Sequence, residues 1–294
     1  MTQSSAVTDT IVTFPAGGLR GDARILQIES RQDGAVIVLD ATPFHPVDHT
    51  WPDQPGDTGA LVSEAGRVLV TDTEMAARSD AGEFALGAEI PVRRGSEGWS
   101  WFVAHRIETA DAPAWLAAGS TVVAEADAER RAALSRGHTA CHLASLALDL
   151  ALADLWRKDP GADALGSPDF EGRANQSSRI HDDGSVDEYR LGKSLRKAGF
   201  DTETFVATLV ERQERINAQL AAWVASGARS RIEVDGPTIV DRRRWHCELP
   251  EGEAVILCGG THVASLAEFS AISVSLDLSD PQLLVMTTTA VPAV

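Results

Sequence analysis

The chain is poor in cysteine and poor in positive charge, and it has no long apolar run. Its three cysteines, Cys141, Cys247 and Cys258, cannot form a fully paired disulfide set, so a reduced, intracellular protein is the expectation. No stretch is apolar for the length a membrane helix needs. The opening MTQSSAVTDTIVTF has neither the basic nor the apolar segment of a secretory leader, and a cytoplasmic location follows as the expectation. Against 43 acidic residues stand 26 basic ones, a formal net charge of −17, which disfavours a polyanionic partner because phosphate binding draws on a basic footprint. The imbalance is uneven. Between Tyr189 and Trp245, Arg190, Lys193, Arg196, Lys197, Arg212, Arg215, Arg229, Arg231, Arg242, Arg243 and Arg244 outnumber seven acids. A solvated charged face is the plain reading of that stretch, and Arg190–Lys197 with Arg242–Arg244 is the alternative surface for a phosphate backbone.

What is present is globular in composition, at 44% hydrophobic and 23% charged residues. The first hundred or so residues read as short strands. Ala23–Glu29 and Ala35–Asp40 flank a turn at Asp33–Gly34, and a second pair turns at Glu64–Ala65–Gly66. Segments at Glu83–Ile90 and Trp99–Ile107 follow. Close spacing of such strands predicts a small β-barrel-like or sandwich domain over residues 1–110. From 111 to 294 the pattern changes to α+β. A helix is expected from about Glu125 to Trp156, with Gly137 as its weak point and Leu134, His138, Cys141, His142, Leu146 and Leu150 on one face. Lys158–Ser178 reads as a loop, His181–Leu191 as a strand, and Thr202–Ser226 as an amphipathic helix. Further strands are expected at Arg231–Val234, Ala254–Leu257, Ser270–Leu278 and Leu283–Thr289.

Two short motifs carry chemistry. HTACH places His138 and His142 four positions apart on the expected helix, one turn apart on one face, so both rings can reach one ion. CGGTH places Cys258 and His262 four apart after an apolar strand, with two glycines that let the chain fold tightly. Either alone is commonly a pair of polar core residues or a plain turn. Together they form a set of three imidazoles and a thiolate, which suits zinc and not the oxygen-seeking magnesium or calcium. Cys141 is expected to be a small buried hydrophobe, and Cys247 with His246 to be structural.

These segments resemble the editing domains of alanyl-tRNA synthetases and their freestanding AlaX-type relatives, which carry a His-Thr-Ala-x-His helix and a later Cys-Gly-Gly-Thr-His-Val loop. A third stretch matches in VLDATPFHPVDHTWPDQPGDTG, where Leu39, Asp40, Thr42, Phe44, Pro46, Gln54, Asp57 and Gly59 occupy the motif positions. Val47–Asp53 replaces the glycine-rich loop of the relatives. The resemblance implies a zinc-dependent aminoacyl-tRNA deacylase acting at the tRNA 3′ end, with zinc on His138, His142, Cys258 and His262. It implies Ser- or Gly-tRNA(Ala) as the default substrate, and the altered loop admits another small β-hydroxy amino acid such as fluorothreonine. Within that implication Thr42 can bond a β-hydroxyl, Gln54 can orient the hydrolytic water, and His49 can act as a base or touch the substrate. For each the plain alternative is a strand residue, a surface amide and an exposed loop histidine. Two other classes stay open: a zinc hydrolase of a small ester or amide without nucleic acid, and a zinc-holding interaction module.

Overall fold

The structure is a computed structural model that describes residues 9–108 and 112–293. It is α+β and mostly strand, and it divides into two units. The first comprises Met1–Arg131 with Val234–Arg243, and the second Ala132–Glu233 with Arg244–Val294. The boundary expected at residue 110 lies outside the described residues. No helix among the described residues is long and apolar enough to cross a membrane.

In the first unit the strands are β1 (Ile11–Val12), β2 (Arg20–Arg31), β3 (Gly34–Leu39), β4 (Ala41–Thr42), β5 (Gly59–Ser63), β6 (Gly66–Val70), β7 (Asp72–Ser79), β8 (Phe84–Leu86), β9 (Trp99–Ile107) and β10 (Thr121–Ala126). Eight of them form one sheet in the order β6-β5-β10-β2-β3-β9-β7-β8. Both expected turns are in place, between β2 and β3 and between β5 and β6. Flat, that order would put β6 and β7 roughly 29 Å apart at the usual strand spacing of about 4.8 Å. Yet Thr71 alone joins them, so the sheet is rolled. The Thr71 N–H donates to Arg106 O at 2.9 Å across the gap. The sheet is nevertheless not a closed barrel, contrary to the barrel-like expectation. Edge strand β8 is three residues long and passes into a 3-10 turn at Gly87–Glu89, too short an edge for a ladder with β6. β3 is buried at every position, with Ile37 and Leu39 packing on Ile25, Phe44 and Leu61, and Val36 and Val38 on Phe102 and Ala104. The Val234–Arg243 segment binds into this unit through Val12 N–H to Pro237 O and Ile239 N–H to Thr10 O, both 2.9 Å.

The unit boundary falls inside α1 (Ala128–Ala151), which ends short of the expected Trp156 and gives way to a 3-10 turn at Ala153–Leu155. Beyond it come α2 (Glu171–Ala174), β11 (Asn175–His181), β12 (Gly184–Arg190), α3 (Lys193–Ala198), α4 (Thr202–Ala207), α5 (Leu209–Ser226), β13 (Ser230–Val234), β14 (Arg243–Leu249), β15 (Gly252–Leu257), β16 (Phe269–Asp280) and β17 (Leu283–Pro292). The single strand expected over His181–Leu191 is instead the β11–β12 hairpin, turned at Asp183 with φ 58°. The helix expected over Thr202–Ser226 is two, α4 and α5, interrupted at Thr208.

The second unit pairs β11-β12-β17-β16 in one antiparallel sheet and β13-β14-β15 in another. Its core joins Leu143, Ala147 and Leu148 of α1 to Ile216, Leu220 and Trp223 of α5 and to Trp245, Leu284 and Met286. α5 also covers the β16 edge. Asn217 accepts from Val274 N–H (2.7 Å) and donates to Val274 O (3.1 Å), and Gln213 accepts from Leu276 N–H (2.8 Å). Gly137 is no weak point: a Cβ there would stand 2.5 Å from His181 O and 2.7 Å from Gly184 O, so the missing side chain lets α1 press on the β11–β12 turn. Leu150, expected on the buried face, is 43% exposed.

Candidate metal centre

α1 and the loop after β15 bring four ligating side chains together within the second unit. One donor atom from each of His138, His142, Cys258 and His262 lies within 4.8 Å of all the others. Cys258 Sγ stands 3.4 Å from His138 Nε2 and 3.3 Å from His262 Nε2. Zinc bond lengths of about 2.3 Å to sulfur and 2.0–2.1 Å to nitrogen put the S···N edge of a tetrahedron near ~3.5 Å, so these separations fit. The rings converge as well, with centroids 4.8 Å apart for His138 and His142 and 4.5 Å for His138 and His262. The donor set and its spacing fit a bound transition metal.

The surroundings set how the ligands face. Thr139, fully buried, donates its one hydroxyl proton to Ser135 O (2.8 Å), a carbonyl that can only accept. The same oxygen accepts from Val263 N–H (3.1 Å), and its contact to His262 Nδ1 (3.2 Å) is therefore a bond donated by the ring. That fixes the His262 tautomer, with Nδ1 protonated and the Nε2 lone pair toward Cys258. From the other side Trp245 Nε1–H donates to Ser230 Oγ (2.8 Å), which donates to Val263 O (2.8 Å). The loop is thus pinned at Val263 through both its N–H and its carbonyl. The Trp245 ring stacks on His142 at 5.2 Å and 30° and lies 5.4 Å from His262. The Gly260 N–H donates to Cys258 Sγ at 3.4 Å. Neither Thr139 nor Trp245 was singled out in the sequence. Thr139 lay inside HTACH itself, and Trp245 lies on β14, paired with the strand that leads into Cys258, but no local pattern links it to His142, 103 positions earlier, on which its ring stacks.

Cys141, Cys247 and His246 lie outside the His138–His142–Cys258–His262 group. Cys141 is buried beside Leu134 and Ile180, outside the ligand group, and its thiol donates to Asp187 Oδ1 at 3.4 Å. Burial pushes that thiol well up. His246 pairs with Glu253 at 2.9 Å, and Cys247 is fully buried.

Thr42, His49 and Gln54 belong to the first unit. Thr42 is buried and lies 2.8 Å from His105 Nε2. His105 Nδ1 faces Ile37 O at 3.0 Å and so carries the proton, while complete burial pushes the ring pKa down to about 4 and leaves Nε2 bare. The Thr42 hydroxyl therefore donates to His105, and it accepts from Phe44 N–H at 3.2 Å. One acceptor lone pair remains. His49 is not an exposed loop residue: its side chain is 3% exposed, 5.4 Å from the Trp101 ring, with Nε2 3.3 Å from Val92 O. Gln54 is buried too, its backbone N–H bonded to Asp53 Oδ1 at 2.7 Å. Asp57 holds Arg131 in a buried ion pair, and Arg131 also donates to Pro43 O (2.7 Å). Arg243, part of the basic stretch, is buried over the Phe14 ring at 5.0 Å and presents no free charge.

No family profile matches the chain. Among known proteins, alanyl-tRNA editing protein AlaX-M of Methanosarcina barkeri is 26% identical over 250 residues, 84% of this chain and 85% of that protein. Alanine–tRNA ligase of Parafrankia sp. is 29% identical over 254 residues, 86% of this chain and 24% of the ligase. That of Bordetella petrii is 38% identical over 124 residues, 42% of this chain and 11% of the ligase. The chain spans about a quarter or less of the ligases it matches. Over most of its length it is a relative of the AlaX-type alanyl-tRNA editing proteins and of the matching segment of alanine–tRNA ligases.

Proposed function

We propose that the chain is a zinc-dependent trans-editing aminoacyl-tRNA deacylase, which hydrolyses the ester between a small amino acid and the tRNA 3′ end in the cytoplasm. The observation that carries this is the His138–His142–Cys258–His262 cluster in a chain that matches AlaX-M over 85% of that protein's length. Zinc bound there would position the aminoacyl end and assist activation of the attacking water. The four residues hold it, Thr139 orients His262, and Trp245 walls the ligands off from water on one side.

The amino acid is proposed to be small and β-hydroxylated: serine, with glycine, on tRNA(Ala), or a threonine analogue such as fluorothreonine. Thr42 supports that choice, because its proton is committed to His105 and its remaining capacity is to accept. Such an oxygen pairs with a substrate hydroxyl and is left unpaired by a methyl group. Gln54 is proposed to orient the hydrolytic water. His49 is proposed to act on the substrate side through the replaced Val47–Asp53 loop.

The test is deacylation of Ser- and Gly-tRNA(Ala), Thr-tRNA(Thr) and fluorothreonyl-tRNA, with and without a chelator. Release of one or two small amino acids, lost on metal removal, is expected; release of none, or release indifferent to the chelator, would overturn the proposal. A second reading, a zinc hydrolase of a small ester or amide, is favoured by the net charge of −17. Turnover that scarcely changes with salt would select it, since RNA binding weakens steeply with salt.

A further inference from the structure

Lysine is the rare cation of this chain, three residues against 23 arginines, and all three lysines come to one place. Lys193 and Lys197 lie one turn apart on α3. Lys158 arrives from the loop after α1: its Nζ donates to Lys197 O at 3.1 Å, and the preceding Arg157 N–H donates to Gly199 O at 2.9 Å. Arg190 closes the other end, its side chain folded against Gly192. Lys158, Arg190, Lys193, Arg196 and Lys197 are all exposed. From Arg190 to Gly199 there is no acidic residue. Of the acids at the border, Asp201 is matched by Arg157 at 2.6 Å, and Asp159 accepts from Gly161 N–H at 2.8 Å.

Several other exposed arginines are answered by carboxylates, as Arg20 and Arg67 are by Glu125, Arg215 by Glu211 and Arg231 by Glu253, while Arg31, Arg93 and Arg229 are exposed without one among the described residues. No described carboxylate pairs with Lys158, Arg190, Lys193, Arg196 or Lys197. The negative end of α3 accounts for Lys197, but Lys193 sits at the opposite end and Lys158 is on another segment. A lysine ammonium is a mobile point charge on a flexible stem, suited to a phosphate whose orientation is not fixed. On a chain of net charge −17, a polyanion is repelled everywhere except at such a local reversal of sign.

We infer that the Lys158–Lys193–Lys197 patch, with Arg190 and Arg196, is the surface on which the phosphate backbone of the tRNA lies. This rests on the deacylase reading. The experiment is tRNA binding by fluorescence anisotropy across a KCl series. It compares the unaltered protein, the triple variant Lys158→Gln/Lys193→Gln/Lys197→Gln, and a charge-matched control, Arg31→Gln/Arg93→Gln/Arg229→Gln. Each phosphate contact contributes roughly 0.7–0.9 to the slope of log K against log salt. The lysine variant should lower that slope by about 2–3 and weaken binding at low salt by at least about 10-fold, with the control close to the unaltered protein. Unchanged slope and affinity in the lysine variant, or an equal loss in the control, would overturn the inference and leave the deacylase reading standing. Failure of the unaltered protein to bind tRNA would overturn both. Circular dichroism of each variant separates lost contacts from lost folding.

Discussion

The two units treat the same residue types in opposite ways. In the first, buried polar groups answer one another: Thr42 gives its proton to His105, His105 gives its own to Ile37, and Asp57 grips Arg131. In the second, three imidazoles and a thiol converge on one point, held there by Thr139 and by the Trp245–Ser230–Val263 chain. A histidine insulated in a core and a histidine turned toward a shared group of donors are both buried or half-buried. The hydrogen bonds behind the ring distinguish them, and burial does not.

That contrast can be broken first at the buried ion pair. Arg131→Met leaves Asp57 charged and buried, which should cost about 3–5 kcal/mol in urea denaturation. Metal content, measured on the protein still folded, should stay unchanged, because both partners belong to the first unit. Loss of metal together with stability would show that the contrast is false.

Opposite responses to pH come next. Burial, with the nearby Arg131 and Arg243 charges, lowers His45 to about 3, and burial lowers His105 to about 4. Unfolded, both rings take up protons below about pH 6.5, so the stability they confer is complete above that pH and is lost as pH falls toward 4. For His105 alone this is on the order of 3 kcal/mol. In the second unit burial raises Asp149 to about 9, while its Oδ1 accepts from the Phe170 and Glu171 N–H groups at 3.0 and 2.9 Å. Unfolded, that carboxyl ionises near pH 4, so its contribution is complete at low pH and declines as pH rises toward 9. Hydrogen exchange corrected for its intrinsic rate should show β3 and β9 loosening in acid, and the α1–α2 contact loosening in base. A common slope in both would contradict the assignment.

A smaller effect tests the tautomer. Thr139→Val should weaken zinc 10- to 100-fold in a chelator competition, the usual loss when a ligand's outer partner is removed, and Thr139→Ser should restore it. Equal affinity in all three would mean that the hydroxyl does not orient His262. The smallest effect is at Gly137. Alanine has the better helix propensity, yet its Cβ would meet the His181 and Gly184 carbonyls, so Gly137→Ala should lower stability by about 1–3 kcal/mol. A gain in stability would show that α1 has room to move.

How far the sequence could be read follows from the range of the interactions. The metal cluster was legible because both halves are local, an i, i+4 pair on a helix and an i, i+4 pair after a strand. The β2–β3 and β5–β6 hairpins were legible for the same reason. The β11–β12 hairpin was missed because β11 begins in what reads as a polar loop, NQSSRIH, with one large apolar residue. The partnership of Thr42 with His105 spans 63 positions, and that of Asp57 with Arg131 spans 74. Such pairs leave no periodic mark. His49 and Gln54 lie in a Pro- and Asp-rich stretch whose composition reads as exposed, while packing on Trp101 and burial set their actual surroundings.

The most direct test is a zinc titration of metal-stripped protein, with Trp fluorescence and deacylation of Ser-tRNA(Ala) and fluorothreonyl-tRNA read on the same samples. One equivalent of zinc per chain should change the signal of Trp245, stacked on His142, and restore hydrolysis in parallel, and Cys258→Ala should lose both. Full hydrolysis by the stripped protein, or by Cys258→Ala with its fold intact, would contradict the account.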